Sequence, residues 1–95
     1  MQLARVTGTL VASRKDEGLE GQKLLVVENL GVDGKTSGGY VVAVDAVGAG
    51  EGEVILYATG SSARQTLATK DRPCDAVVMA IVDSWDVGDK TVYRK

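Results

Sequence analysis

Three short stretches of the sequence are apolar at consecutive positions. They read LLVV over residues 24–27, YVVAV over 40–44 and AVVMAIV over 76–82. Side chains of a β-strand alternate between the two faces of its sheet, so these stretches place apolar groups on both faces. The sequence contains no long amphipathic helix that would cover the second face. We therefore predict that another copy of the chain, or another protein, covers it.

The 95 residues predict one domain, over residues 1–95, built mainly from β-strands. Twelve glycines and one proline suit tight turns such as Asp33-Gly34 and Gly88-Asp89. Without phenylalanine and with one tryptophan, the core is expected to be aliphatic. Period-two patterning predicts strands over 6–12, 23–30, 40–45, 53–58, 75–85 and 91–94. A closed or nearly closed barrel of five or six strands leaves few open edges.

Two local features are expected within this pattern. In the first strand, Val6, Gly8, Leu10 and Ala12 are expected to share one face, with a bend or a close backbone approach at Gly8. Between the fourth and fifth strands, the segment 60–69 is expected to contain one short helix of at most two turns. Ser62 and Gln65 have the spacing of a capping box there. The amides of residues 62–64 also suit an anion, but capping is the simpler interpretation.

The composition argues against most enzyme classes. The chain has no histidine, and its single cysteine, Cys74, has no partner for a disulfide or a metal site. A small, half-buried thiol in a reducing cytoplasm is expected, with no cofactor and no metal. Asp45, Asp83 and Asp86 lie near predicted strand ends, where they are expected to serve turns, caps or ion pairs.

The charge pattern argues against two classes of partner. The net charge is −2, and the lysines and arginines are scattered. Neither nucleic acid nor an anionic membrane is therefore an expected partner. The longest apolar run, residues 76–82, is far shorter than a membrane-spanning helix, and no secretory signal is expected.

The glycine-rich stretch GAGEG, residues 48–52, invites comparison with phosphate-binding loops. A dinucleotide fingerprint requires a third glycine and a following helix, but Glu53 occupies that position and a strand follows. No Gly-Lys-Ser/Thr sequence follows either, and Glu51 and Glu53 would repel a phosphate. The segment GSSAR, residues 60–64, departs from a nucleophile elbow at Arg64. We interpret the glycine stretch as a loop where backbones approach closely, as around a symmetry axis.

Most of the chain resembles a known family. The residues that carry the resemblance are LARVTGTLVASRK (3–15), GQKLLVVE (21–28), VAVDAVGAGEGEVILYATGSSAR (42–64) and DAVVMAIVDSW (75–85). They are similar to the EutN/CcmL family of bacterial microcompartment vertex proteins. The pairing of D-x-V-G-A-G-x-G-E with G-S-S-A-R about ten residues later is the most specific part.

The resemblance implies an all-β fold, a five-stranded OB-like barrel with one short helix, which assembles as a ring. It implies a structural protein, not an enzyme: a homopentamer that caps the fivefold vertices of a polyhedral shell in the cytoplasm and meets hexameric shell proteins. It also implies candidate contacts between subunits or along the axial pore, at Gly48, Ala49, Gly50, Glu53, Gly60, Ser61, Ser62, Ala63 and Arg64.

Two other functions compete with this one. An OB-fold module that binds oligonucleotides would need aromatic platforms and a basic groove, and this chain has three tyrosines, one tryptophan and a negative charge. A small-ligand or redox enzyme would need a bound cofactor, and the missing histidine and the single cysteine disfavour it.

Overall fold

The computed structural model describes residues 1–13, 17–19, 21–67 and 75–95. Within these ranges there are seven strands and two short 3-10 helices, at Glu17–Leu19 and Gly60–Arg64. The strands are β1 (Gln2–Leu10), β2 (Leu24–Leu30), β3 (Thr36–Asp45), β4 (Val54–Thr59), β5 (Ala76–Ile81), β6 (Ser84–Val87) and β7 (Lys90–Arg94).

Five strands close into a barrel in the order β1-β2-β3-β5-β4, which confirms the predicted architecture. The neighbouring strands are antiparallel except β3 and β5, which run parallel over a short overlap. The predicted strand 75–85 is wrong as a single element. After Ile81 the chain leaves the barrel, and β6 pairs with β7 in a separate two-stranded ribbon.

A β-bulge in β1 changes which side chains face the core. Val6 lies opposite Val27, but Gly8 lies opposite Val26, so Thr7 is an extra residue on β1. Cross-strand partners share a face, and one inserted residue reverses the alternation that follows. Because a bulge bends its strand, it accounts for the bend predicted at Gly8. The alternative, a close backbone approach, is not seen, since no heavy atom lies within 4 Å of a Cβ placed there. The predicted shared face is wrong, because the bulge turns Gly8 and Leu10 outward while Val6 points inward.

The doubly apolar strands divide between the barrel interior and its outer surface. In β2, Leu25 and Val27 are fully buried, whereas Leu24 and Val26 on the opposite face are partly exposed. In β3, Ala43 is buried and Val42 is 45% exposed. The main interior cluster consists of Ala4, Val6, Leu25, Val27, Ala43, Ala49, Ile55, Tyr57, Ala76 and Val78. The second apolar face predicted from the sequence is therefore present and incompletely covered in a single chain.

Tyr57 is the largest fully buried side chain, which departs from the expected aliphatic core. Its hydroxyl lies 2.7 Å from Oε1 of Gln2 and 2.6 Å from Oδ1 of Asn29. Burial raises the pKa of this phenol, so it stays protonated and able to donate. Two amide side chains thus satisfy the one polar atom that the ring brings into the barrel.

The β6–β7 ribbon is attached to the barrel by aromatic contacts. Trp85 and Tyr93 stack with their centroids 5.1 Å apart. The Trp85 indole N–H donates to the Val32 carbonyl oxygen at 2.8 Å, at the β2–β3 turn. In that turn Gly34 has a φ of +82°, which confirms the turn predicted at Asp33-Gly34. Two-stranded ribbons are marginal alone, so these contacts hold this one in place.

Candidate functional site

The loop between β3 and β4, residues 46–53, contains the glycine stretch and is called the glycine loop below. Asp45, at the end of β3, organises its first half. The Asp45 Oδ1 atom accepts N–H groups from Val47 at 3.0 Å, Gly48 at 3.0 Å and Ala49 at 3.2 Å. The Asp45 side chain is 2% exposed, and Lys23 Nζ lies 3.8 Å from its Oδ2 atom. The turn role and the ion pair expected for Asp45 are both confirmed.

Glu53 organises the second half of the glycine loop. Its Oε1 atom accepts the Gly50 N–H at 2.6 Å, and its Oε2 atom accepts a hydrogen bond from Lys95 Nζ at 2.6 Å. The loop is also joined to β1, because the Gly52 N–H donates to the Val6 carbonyl oxygen at 2.8 Å. Arg5 Nη1 donates to the Gly52 carbonyl oxygen at 2.8 Å.

These bonds settle the chemistry of the glycine stretch. A phosphate loop presents free backbone N–H groups to its ligand. Here the amides of residues 47–50 all donate to carboxylates of the chain itself, and the Gly52 amide donates to β1. The glycine loop is consequently an internally bonded turn and not a phosphate cradle.

Ala49 anchors the glycine loop inside the barrel. Its side chain is fully buried and belongs to the interior cluster. Gly48, beside it, is exposed and has a φ of +77°, with no heavy atom within 4 Å of a Cβ placed there. The small size of Ala49 is explained by packing within one chain, whereas Gly48 presents open surface where another backbone can approach.

The segment Gly60–Arg64 is a single 3-10 helix of five residues, which agrees with the predicted short helix of at most two turns. Residues 68 and 69 lie outside the described residues. The predicted capping box is wrong. Thr59 is the N-cap residue and makes no side-chain cap bond, while Ser62 lies inside the helix. The Gln65 N–H closes the helix by donating to the Ser62 carbonyl oxygen at 3.2 Å. Gly60, with a φ of +64°, starts the helix before the expected cap.

Replacing Ser62 by alanine should therefore leave the stability of the fold almost unchanged. The side chain is exposed and does not cap the helix, and such surface substitutions change the free energy of unfolding by about 0.5 kcal/mol or less. Thermal unfolding of the two proteins tests this. A loss near 1 kcal/mol, typical of a removed cap, would restore the capping interpretation.

The two candidate segments pack on opposite sides of the start of β5. Ala49 shares the interior cluster with Ala76. Ala63 is fully buried in an outer cluster with Val77, Val44 and Ala58. Gly48 and Gly50 thus lie with Glu53 in one bonded loop, while Gly60, Ser61 and Ser62 form an exposed edge beyond β4. Arg64 is the last residue of the 3-10 helix.

The Glu53 carboxylate should make the stability of the loop depend on pH. Its hydrogen bond from Lys95, and then that from the Gly50 N–H, hold the pKa of Glu53 below its ordinary value near 4.5. A lowered carboxyl pKa stabilises the fold above the pKa of the unfolded chain, and this stabilisation disappears as the pH falls through the folded pKa. The melting-temperature difference between wild type and Glu53→Gln should therefore be present at pH 7 and shrink toward about pH 3. A difference independent of pH would contradict this role.

Sequence reasoning missed two contacts at this site. Lys95 is 42 residues from Glu53, so no local pattern shows that the two side chains meet. Arg5 reaches the glycine loop from the opposite end of the chain. The turn at Asp45 could be predicted from local sequence. Its carboxylate accepts N–H groups from residues only two, three and four positions later in the chain.

Other chemistry is limited in the part of the chain that the structure describes. Over those residues, no group of three or more His, Cys, Asp or Glu side chains is arranged to hold a metal ion. Asp83 and Asp86 are exposed. Cys74 lies outside the described residues.

No helix within the described ranges has the length and apolar character needed to cross a membrane.

A known protein family matches most of the chain. Residues 1–83 match the model of the family described as "Ethanolamine utilisation protein EutN/carboxysome".

Individual relatives are similar over all or nearly all of the chain. The "Carboxysome shell vertex protein CcmL" of Nostoc sp. is 45% identical over 96 residues, which cover 100% of this chain and 95% of that protein. The "Bacterial microcompartment shell vertex protein EutN" of Salmonella typhimurium is 43% identical over 95 residues, covering 100% and 96%. The solved "GrpN pentameric microcompartment shell protein from Rhodospirillum rubrum" superposes with a TM-score of 0.86 at 43% identity, covering 93% and 100%.

Proposed function

Because this chain belongs to the EutN/CcmL family, we propose that it is a shell vertex protein whose five copies form a ring. The ring caps the fivefold corners of a polyhedral microcompartment. The observation that carries this proposal is similarity over the whole chain to proteins named as shell vertex proteins, one of them from a carboxysome. The described surface supports it, because apolar side chains remain partly exposed on the outside of a closed barrel.

The role is structural and not catalytic. The ring sits in a shell within the cell, beside hexameric shell proteins. Hexagonal tiles alone form flat sheets, and a fivefold tile supplies the curvature that lets a shell close. The glycine loop suits such a ring, since its bonds to Asp45 and Glu53 fix its shape.

Most candidate residues keep their proposed roles in this ring. Gly48, Gly50 and Glu53 lie near the fivefold axis or a subunit contact, where small residues let several copies converge. Ala49 holds this loop in place from inside its own barrel. Gly60, Ser61, Ser62, Ala63 and Arg64 lie in the zone of subunit contacts. The exposed Ser61 and Ser62 support this assignment, while the buried Ala63 fixes the helix to its own barrel.

The oligonucleotide-binding alternative finds little support. A single strand binds OB folds by stacking its bases on exposed aromatic rings. Tyr57 is buried, and Trp85 and Tyr93 stack on each other. Tyr40, at 63% exposed, remains as a lone platform among the described residues. The relatives are named as shell vertex proteins.

Shell closure tests the proposed function directly. Hexameric shell proteins are expressed with and without this chain, and the products are viewed by electron microscopy. Closed polyhedra should form when the chain is present, and sheets, tubes or open shells when it is absent. Equally closed polyhedra in both samples would refute the vertex role.

Gly50→Arg tests the axial placement of the glycine loop. The Gly50 backbone is not in the left-handed region, and a Cβ there would lie 3.4 Å from Glu53 Oε1, so the fold of one chain should tolerate the change. If copies of the loop converge, five arginines clash and repel, and the ring should be lost. Val87→Arg, at an exposed position of β6, is the control that should keep the ring. A Gly50→Arg chain that still forms the wild-type assembly would move the loop away from the axis.

A further inference from the structure

The symmetry of a five-membered ring restricts how its subunits can meet. A contact that uses the same surface on both partners joins chains in pairs, and such pairs do not build an odd-numbered ring. In a ring of five, each chain must present one surface to the next chain and a different surface to the previous one. The assignment of two such surfaces to this barrel rests on the proposed function, in which five copies form a ring.

One apolar surface lies on the outer side of β1, β2 and β3. Leu10 lies opposite Leu24, and Gly8 and Val42 lie opposite Val26 on either side. Leu10 is 37% exposed and Val42 is 45% exposed, while Leu24 and Val26 are partly exposed. We call Leu10, Leu24, Val26 and Val42 the β2–β3 face. It contains no charged side chain.

A second apolar surface lies on the outer side of β1, β4 and β5. Leu3 lies opposite Leu56, and Leu56 lies opposite Ala80. All three are partly exposed and uncharged. We call them the β4 face. It borders an open cleft of about 350 Å³ whose lining includes Met1, 76% exposed, and Val32, 68% exposed.

A polar row separates the two faces. On the same outer surface, Arg5 lies opposite Glu28, and Glu28 lies opposite Tyr40. This row lies between Leu3 and Gly8 along β1, so the apolar surface is divided into two patches. Two separate patches on one chain are what contact between unlike surfaces requires, whereas a single patch suits a twofold dimer.

We infer that the β2–β3 face of each chain packs against the β4 face of its neighbour around the ring. The occupant of each face is thus a second copy of this chain. The similar GrpN protein of Rhodospirillum rubrum is pentameric by name, and the apolar, uncharged character of both faces matches the core of a permanent interface. The cleft beside Leu3 and Leu56 provides a recess into which side chains of the neighbour can pack.

Two arginine variants test the two faces separately. Val42→Arg places a charge in the β2–β3 face, and Leu56→Arg places one in the β4 face. Burying an unpaired charge in an interface should raise the concentration at which the ring half-dissociates by at least about 100-fold. Each variant should then be a folded single chain by circular dichroism and native mass spectrometry. Val87→Arg, at a valine 53% exposed on β6 and outside both faces, is the matched control that should keep five copies.

Mixing the two variants gives the sharper result. The Val42→Arg chain retains its β4 face, and the Leu56→Arg chain retains its β2–β3 face, so one joint can form between them. The resulting pair exposes an arginine-bearing face at each end and cannot grow. The mixture should therefore stop at a dimer of one Val42→Arg chain and one Leu56→Arg chain, while neither variant dimerises alone.

The outcomes distinguish failure of the face assignment from failure of the proposed function. A wild-type chain that is itself monomeric would overturn the ring. A five-membered wild type together with a five-membered arginine variant, or with a mixture that stays monomeric, would overturn the face assignment and leave the ring standing. If an arginine variant is unfolded, Val42→Ser and Leu3→Ser replace it. Each should weaken the ring by about 10-fold, and an unchanged ring would contradict the assignment.

Discussion

Leu25→Ala should lower the free energy of unfolding by about 2 to 5 kcal/mol, whereas Leu24→Ala should cost about 1 kcal/mol or less in a single chain. The two leucines are neighbours in β2 and have the same chemistry. Leu25 is fully buried in the interior cluster, while Leu24 lies on the partly exposed outer surface. The first loss is a large share of the roughly 5 to 15 kcal/mol that stabilises a small domain.

Urea unfolding measures both effects. The two substitutions are made in the Leu56→Arg chain, so that assembly does not contribute to the measured stability. In the wild-type background, the stability of the ring should show the opposite order. Leu24→Ala should weaken the ring more than Leu25→Ala, because Leu24 belongs to the β2–β3 face. Equal losses of folding stability for the two variants would contradict the assigned faces of β2.

Asp45→Ala should destabilise the fold by about 2 to 4 kcal/mol. One carboxylate oxygen accepts three backbone N–H groups, and its side chain is 2% exposed. Alanine leaves these donors without an acceptor at the point where the glycine loop leaves β3. Because the loop carries Ala49 into the interior cluster, the barrel loses part of its packing as well.

Asp33→Ala is the matched control for this carboxylate. Its Oδ1 atom accepts the Lys35 N–H at 3.0 Å in the exposed β2–β3 turn, so its loss should cost about 0.5 kcal/mol. Asp45→Asn retains an oxygen acceptor and should recover part of the stability. Chemical denaturation gives the losses, and hydrogen exchange should show faster exchange at residues 47–49 in Asp45→Ala. An Asp45→Ala chain as stable as Asp33→Ala would rule out this role for the carboxylate.

The main features of the fold follow from local patterns. Consecutive apolar residues in β2 and β3 predicted two apolar faces, and Leu25 and Leu24 lie on opposite sides as expected. The β2–β3 turn and the ribbon turn were predicted from glycine beside aspartate, a pair that accepts positive φ. These features depend on neighbours in the sequence, which is why the sequence reveals them.

The errors arise from features that neighbouring residues in the sequence do not show. The bulge at Thr7 reverses the faces of Gly8 and Leu10, and in VTGTL the glycine is the one residue that indicates it. The predicted strand 75–85 ends early because its last residues, in β6, pair with β7, a later segment of the chain. The Tyr57 side chain is buried because Gln2 and Asn29, both distant in sequence, lie within hydrogen-bond distance of its hydroxyl.

The candidate site was predicted in part. Glu51 and Glu53 were predicted to exclude a phosphate from the glycine loop. The hydrogen bonds of the loop agree with this prediction, because Glu53 itself accepts the Gly50 N–H. The capping role of Ser62 failed because the helix begins at Gly60, before the predicted cap. The roles of the glycine loop and of Gly60–Arg64 in subunit contacts depend on neighbouring chains, so they remain predictions.

Native mass spectrometry of the purified wild-type chain, across a dilution series, tests whether five copies of the chain form a ring. The outer leucines and valines of this barrel require sister chains to cover them, so the dominant species should be a pentamer that persists to low concentration. A lone chain that is well folded and stable throughout the series would contradict the account.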